Sequence, residues 1–169
     1  MLGAHDRYAR LKNGIVAHLR DVRPSDATYL LDGFSRLSEA SRYARFFVPI
    51  RELTPDFVRY LTQVDGTNHV AVVALTQDET TSLGIARFVR DAKDPKSAEF
   101  AITIVDEAQG QGLGLALLSL LMEEAREVGI ETLTAFVQST NQGIRGLLGK
   151  VGAERISSDG VVAQYRWTV

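Results

Sequence analysis

Apolar residues recur along the chain in two alternating periods. "GIVAHLRDV" places Ile15, Ala17 and Leu19 on one side, which predicts a strand. It runs into "RPSD", where Pro24 and Asp26 suit a first helical turn, and Ala27, Leu30, Leu31 and Phe34 then recur at helical spacing. "LSEASRYARFFVPIREL" breaks that period with Ser, Arg and Pro. Thr54 and Pro55 restart it, predicting a second short helix from Pro55 to Leu61 or a little beyond. "HVAVVALT" and "LGIARFVRD", separated by the polar "QDETTS", predict an antiparallel hairpin.

After the loop "DAKDPKS", the run "AEFAITIV" predicts a strand with Phe100, Ile102 and Ile104 on one face and Glu99, Ala101 and Thr103 on the other. From Gly112 to Val128, Leu113, Leu117, Leu120, Leu121 and Val128 line one side of a helix, with Ser119, Glu123, Arg126 and Glu127 opposite. Gly129 closes it. "ETLTAFVQ" reads as a strand, "NQGIRGLLGKVG" as a shorter helix capped by Asn141, and "ERISSDGVVAQYRWTV" as a closing hairpin. Strands and helices do not alternate regularly, so the expected class is α+β (mixed α/β), with a largely antiparallel sheet flanked by helices.

At 169 residues with 45% hydrophobic content, the expectation is one domain spanning 1–169, with 1–13 as an N-terminal extension. A net charge of -2 gives no field for a nucleic-acid backbone. No stretch approaches the length of a membrane span. The absence of cysteine excludes a thiol nucleophile and a disulfide framework and fits a cytoplasmic setting. His5, His18 and His69 stand too far apart for a zinc-ligand pair, so no metal is expected.

The chemistry concentrates where "QGQGLG" meets the long helix. Glycine lets an anion approach the converging N–H groups of a helix start without a Cβ in the way, and a pyrophosphate would fit there. The Rossmann pattern G-x-G-x-x-G fails, because Leu115 and Leu117 stand where glycines are needed, and the chain has no Gly-Lys-Ser/Thr of a P-loop.

What remains is Gln109-x-x-Gly112-x-Gly114 between a strand and an amphipathic helix, followed by a strand and an Asn-led helix. In this the sequence resembles the GNAT superfamily of N-acetyltransferases, whose Q/R-x-x-G-x-G/A motif binds acetyl-CoA. Upstream, Arg23 to Asp26, Leu37 to Phe47 and Leu61 to Asp65 look like the R-P-x-D, L-S-x-x-S-R-Y-x-R-F-F and L-T-x-V-D segments of the acetyltransferase domain of Pat-type bacterial protein lysine acetyltransferases. The likeness runs from about Ile15 to Val169, leaving no room within these residues for the fused domain of many relatives.

The resemblance implies a GNAT-like sheet of about seven strands with about four helices, splayed at the acetyl-CoA site. It implies direct attack by a primary amine, a protein lysine first and a small amine otherwise. Such an amine is protonated at neutral pH, and Glu99 matches the family's general base. The main chain of Ile102 and Ile104 would pair with the pantetheine arm. Gln109, Gly110, Gln111, Gly112, Leu113 and Gly114 would wrap the pyrophosphate, and Asn141 would contact coenzyme A or serve only as a helix cap. Leu148 stands where many members carry a tyrosine acid, leaving the proton donor unassigned and a non-catalytic acyl-CoA sensor as the alternative. Asp65 and Glu107 are reserve acids, and Arg42 and Arg45, flanking Tyr43, are candidates for substrate contact. The oligomeric state, a homodimer included, is left open.

Overall fold

The structure, a computed structural model, describes residues 6–169, so His5 and the start of the expected N-terminal extension lie outside the described residues. Eight strands form one sheet: β1 (Arg7–Arg10), β2 (Val16–Asp21), β3 (His69–Thr76), β4 (Ser82–Arg90), β5 (Ser97–Ile104), β6 (Thr132–Gln138), β7 (Glu154–Ser158) and β8 (Val162–Thr168). Their order is β1-β2-β3-β4-β5-β6-β8-β7, antiparallel throughout except for the parallel pair β5–β6. Five helices accompany them: α1 (Ala27–Ser35), α2 (Glu39–Phe46), α3 (Pro55–Thr62), α4 (Leu113–Glu127) and α5 (Gln142–Lys150).

Two of these elements depart from the sequence reading. Residues 7–10 form strand β1, although "RYAR" has no apolar alternation, because it pairs along β2 at the sheet edge, where its side chains face mostly solvent. Residues 39–46, read as a break, form α2. Ser38 caps its start by accepting from the Ser41 N–H, and Phe47 ends it in the left-handed conformation at φ 62°.

The main core lies between one sheet face and α4. Val72, Ala86, Phe88 and Leu133 of the sheet meet Leu113, Leu117, Leu118 and Leu121 of the helix, all with 1% exposure or less. The opposite face carries Val73 and Leu75, with Tyr29 and Val64 packed on them. Asp26 locks the entry to α1: buried, it receives both terminal nitrogens of Arg20 at 2.9 Å and the Arg23 N–H at 2.7 Å. That bidentate pair and the Arg23 N–H account physically for the aspartate of the R-P-x-D segment.

Glu124 of α4 is 5% exposed. Burial, followed by the neighbouring Asp21 carboxylate, pushes its carboxyl up to about 9, so it stands protonated at neutral pH and hydrogen-bonds Asp21. A raised native value favours the fold fully below the unfolded value near 4.5, and that contribution fades as pH rises towards 9. Urea titrations should therefore find the wild type losing stability across this window. Glu124→Gln should flatten the slope and gain about 1–3 kcal/mol at pH 8. An unchanged slope would place Glu124 in ordinary solvent.

Candidate active site

Strands β5 and β6 pair at only three positions, Ser97 with Thr132, Ala98 with Leu133 and Glu99 with Thr134. Both strands continue beyond that point without pairing to each other, β5 to Ile104 and β6 to Gln138. The sheet thus opens at Glu99. A cavity of about 590 Å³ occupies the opening, walled by β5, β6, the glycine loop, α5 and α2.

The open edge of β5 follows from strand geometry. The Val105 N–H donates to the Leu83 carbonyl beside β4 at 3.0 Å. N–H and C=O groups alternate between the two neighbours along an antiparallel strand, so the main chain of Ile102 and Ile104 faces the opening. On that side Gln109 Nε2 donates to the Ile104 carbonyl at 3.0 Å, tying the glycine loop to the strand end. The same Nε2 lies 3.3 Å from Ser41 Oγ of α2.

The three glycines serve different ends. Gly110 and Gly112 sit at φ +73° and +91°, and a Cβ on either would project into open space, so their conformation and not crowding calls for glycine. Gly114 lies inside the first turn of α4, where a Cβ would come 3.2 Å from Leu147 and 3.4 Å from Ile104. It lets α4, α5 and β5 converge. The N–H groups of Gly112 to Leu115 have no backbone partner among the described residues, and the first such bond in the helix runs from Ala116 to Gly112 at 3.4 Å. Unfilled donors at a helix start are of the kind that an anion can accept from.

Most of the residues singled out in the sequence meet in this cavity: Glu99, Ile102, Ile104, Gln109, Gly110, Gly112, Gly114 and Asn141 all line it. Gln111 and Leu113 do not. The Leu113 side chain is fully buried in the core, and Gln111 contributes its carbonyl to the Lys12 N–H at 3.0 Å. Asn141 Oδ1 caps α5 by accepting from the Ile144 N–H at 3.1 Å, and its Nδ2 has no partner among the described residues. Leu148 is fully buried among core side chains and carries no proton to give. Among the described residues no tyrosine lines the cavity.

The reserve acids have structural duties. Asp65 accepts the N–H groups of Thr67, Asn68 and His69 at 2.7–2.9 Å, and these bonds hold its carboxyl down at about 2. Glu107 pairs with Arg36, and hydrogen bonds to its own backbone N–H and to Arg36 keep it below the usual range. The two arginines of "SRYARFF" also separate. Arg42 donates to the Phe34 carbonyl at 3.1 Å and stacks over the Phe34 ring at 4.2 Å, a packing role, whereas Arg45 borders the cavity.

Sequence reasoning missed the α2 wall, Lys12 and Lys150. Lys12 comes from the turn after β1, where Asn13-Gly14 signals a turn but nothing signals a ligand, and only the fold brings it to the loop. Among the described residues, the charged side chains lining the cavity are Lys12, Arg45 and Lys150 against Glu99, a balance that suits a polyanionic ligand.

A split sheet with a helix-start anion site and one carboxylate at the fork is the architecture of a group-transfer cleft for a phosphate-bearing cosubstrate. The family model described as "Acetyltransferase (GNAT) domain" matches residues 17–154, and the chain belongs to that family. It is 32% identical over 154 residues to "Acetyltransferase Pat" of Mycolicibacterium smegmatis, covering 90% of this chain and 46% of that protein, so it spans about half the length of that relative. Among solved structures it resembles the GNAT domain of S. lividans PAT, with TM-score 0.90, 27% identity and full coverage of both chains. A Sinorhizobium meliloti GNAT superfamily phosphinothricin acetyltransferase in complex with AcCoA shares the fold, with TM-score 0.75 and 19% identity over 90% of this chain and 88% of that one.

Proposed function

We propose that this chain moves an acetyl group from acetyl-CoA to a primary amine by direct attack, with Glu99 as general base. The observation that carries the reading is the position of Glu99 at the last paired residue before β5 and β6 part, beside the open main chain of Ile102 and Ile104. The pantetheine arm would lie along that edge as an added strand, with its diphosphate against Gln109 to Gly114 and its acetyl carbonyl at a main-chain N–H of the edge. Lys12 and Lys150 would add positive charge along the same cleft.

Glu99 takes the proton of the attacking amine, and the nitrogen adds to the thioester carbonyl. The oxyanion that forms is met by the strand N–H, and it collapses with release of the coenzyme A thiolate; the nitrogen sheds its second proton as the amide forms, and the thiolate takes it up, directly or through water, to give the free thiol. A thiol with a pKa of about 8–9 leaves readily, so the chemistry does not demand the acid that Leu148 lacks. A cysteine-free chain permits no acetyl-cysteine intermediate.

A protein lysine as acceptor is supported by the likeness to Pat-type domains in the segments around Asp26, Tyr43 and Asp65. A small amine is the second reading, favoured by a compact second cavity that shares Arg45 and Thr103 with the lining of the large one. A cytoplasmic setting belongs to either reading. Acetyl-CoA at 100 times its dissociation constant should stabilise the fold by about 2.7 kcal/mol in denaturant titrations. Stabilisation by NAD or ATP with none by acetyl-CoA would sink the reading.

A further inference from the structure

Beside the large cavity lies a small one of about 60 Å³, walled by the apolar side chains of Phe34, Phe46, Leu61, Val73 and Ile85. Two guanidinium groups reach it, Arg45 and Arg87, and Arg45 borders both cavities. Arg87 of β4 shares a sheet face with Glu99, since it stands opposite Ala101 while Glu99 stands opposite Val89. It is 5% exposed, yet among the described residues its hydrogen-bond partners are neutral: the Leu61 carbonyl at 3.1 Å and His69 Nε2 at 2.9 Å.

Neither arginine forms an ion pair among the described residues. Burial, followed by the like charge of Arg45, draws Arg87 down to about 9. Arg45 is lowered by burial against the attraction of Glu99. His69, itself drawn down to about 4 by burial and by Arg87, is neutral at pH 7 and accepts from Arg87. Two neighbouring cations with no carboxylate bound to either are costly to hold, and an incoming anion would relieve both desolvation and mutual repulsion.

We propose that the small cavity is the anion-binding end of the acceptor site: the acceptor amine carries a carboxylate, which Arg45 and Arg87 hold while the amine faces Glu99. The inference rests on the N-acetyltransferase reading. It adds a requirement to that reading, because the same cations repel a bare diamine or polyamine and tolerate a zwitterion. The carboxylate can belong to a free amino acid or to an acidic residue beside a lysine in a peptide. The size of the cavity suits a single carboxylate with a short apolar stem.

Two matched acceptor pairs, each assayed by coenzyme A release from acetyl-CoA, separate these sources. L-2-aminobutyrate and propylamine differ only by the carboxylate. Two lysine pentapeptides differ only by Glu or Gln next to the lysine. The wild type should favour the carboxylate member of one pair by about 10- to 100-fold in kcat/KM, and the preference should collapse in Arg45→Gln and in Arg87→Gln. Arg87→Gln risks the packing around Leu61, so Arg45→Gln is the deciding variant, with its ligand-free urea unfolding midpoint, expected near that of the wild type, as its folding control. No preference in either pair, absence of turnover included, overturns the proposal, as does a preference that survives in Arg45→Gln. Failure of acetyl-CoA to stabilise the wild type would instead bring down the transferase reading beneath it.

Discussion

Glu99→Gln should retain acetyl-CoA affinity and lose about 10²- to 10⁴-fold in kcat at neutral pH. The substitution keeps the size and polarity of the side chain and removes only its capacity to take a proton. Glu99 is exposed to the cavity and makes no ion pair among the described residues, so the fold does not depend on its charge. A lysine-like amine has a pKa of about 10.4, so its free fraction rises tenfold per pH unit below that value. The deficit of the variant should therefore narrow as pH approaches 10, where the amine no longer needs a base. Steady-state rates at pH 7 and pH 9.5 check this; a deficit of equal size at both would assign Glu99 a role other than proton removal.

Gly112→Val should weaken acetyl-CoA binding by about 10- to 100-fold, since holding a β-branched residue at a positive φ costs about 1–3 kcal/mol and each 1.4 kcal/mol is tenfold in affinity. Gly112 sits at φ +91° as the residue before α4, and its missing Cβ faces open space. A valine must either distort the loop, misaiming the N–H groups of residues 113–115, or keep the loop and place two methyls before them. Both routes act on the diphosphate and not on the acceptor. Calorimetric titration should accordingly show a raised Kd for acetyl-CoA with the KM for the amine little changed, and an unaltered Kd would remove the glycine loop from the cofactor site.

Much of the lining of this candidate site was legible in the sequence because its signals are local. The glycines, the alternation around Glu99 and the Asn141 cap each lie within one element and its boundary, where backbone geometry constrains residue type most tightly. Helix α2 was not legible. Its eight residues offer few apolar anchors, and it ends on Phe47 in a conformation that sequence rules reserve for glycine. Strand β1 escaped for a similar reason, as a polar edge strand formed by pairing with β2 and not by its own pattern. Lys12 and Arg87 show the deeper limit. Lys12 reaches a loop about a hundred residues away through a single main-chain bond to Gln111, and Arg87 sits in a strand where an arginine ordinarily marks the solvent face. Only tertiary structure converts either into a functional candidate.

The account turns on where acetyl-CoA lies, and amide hydrogen exchange with and without it reads this most directly. The expected result is slowed exchange at Ile102, Ile104 and Gly112 to Leu115, with the edge amides of β1 and β7 unchanged. Protection that leaves β5 and the glycine loop untouched, and appears elsewhere on the sheet, would contradict it.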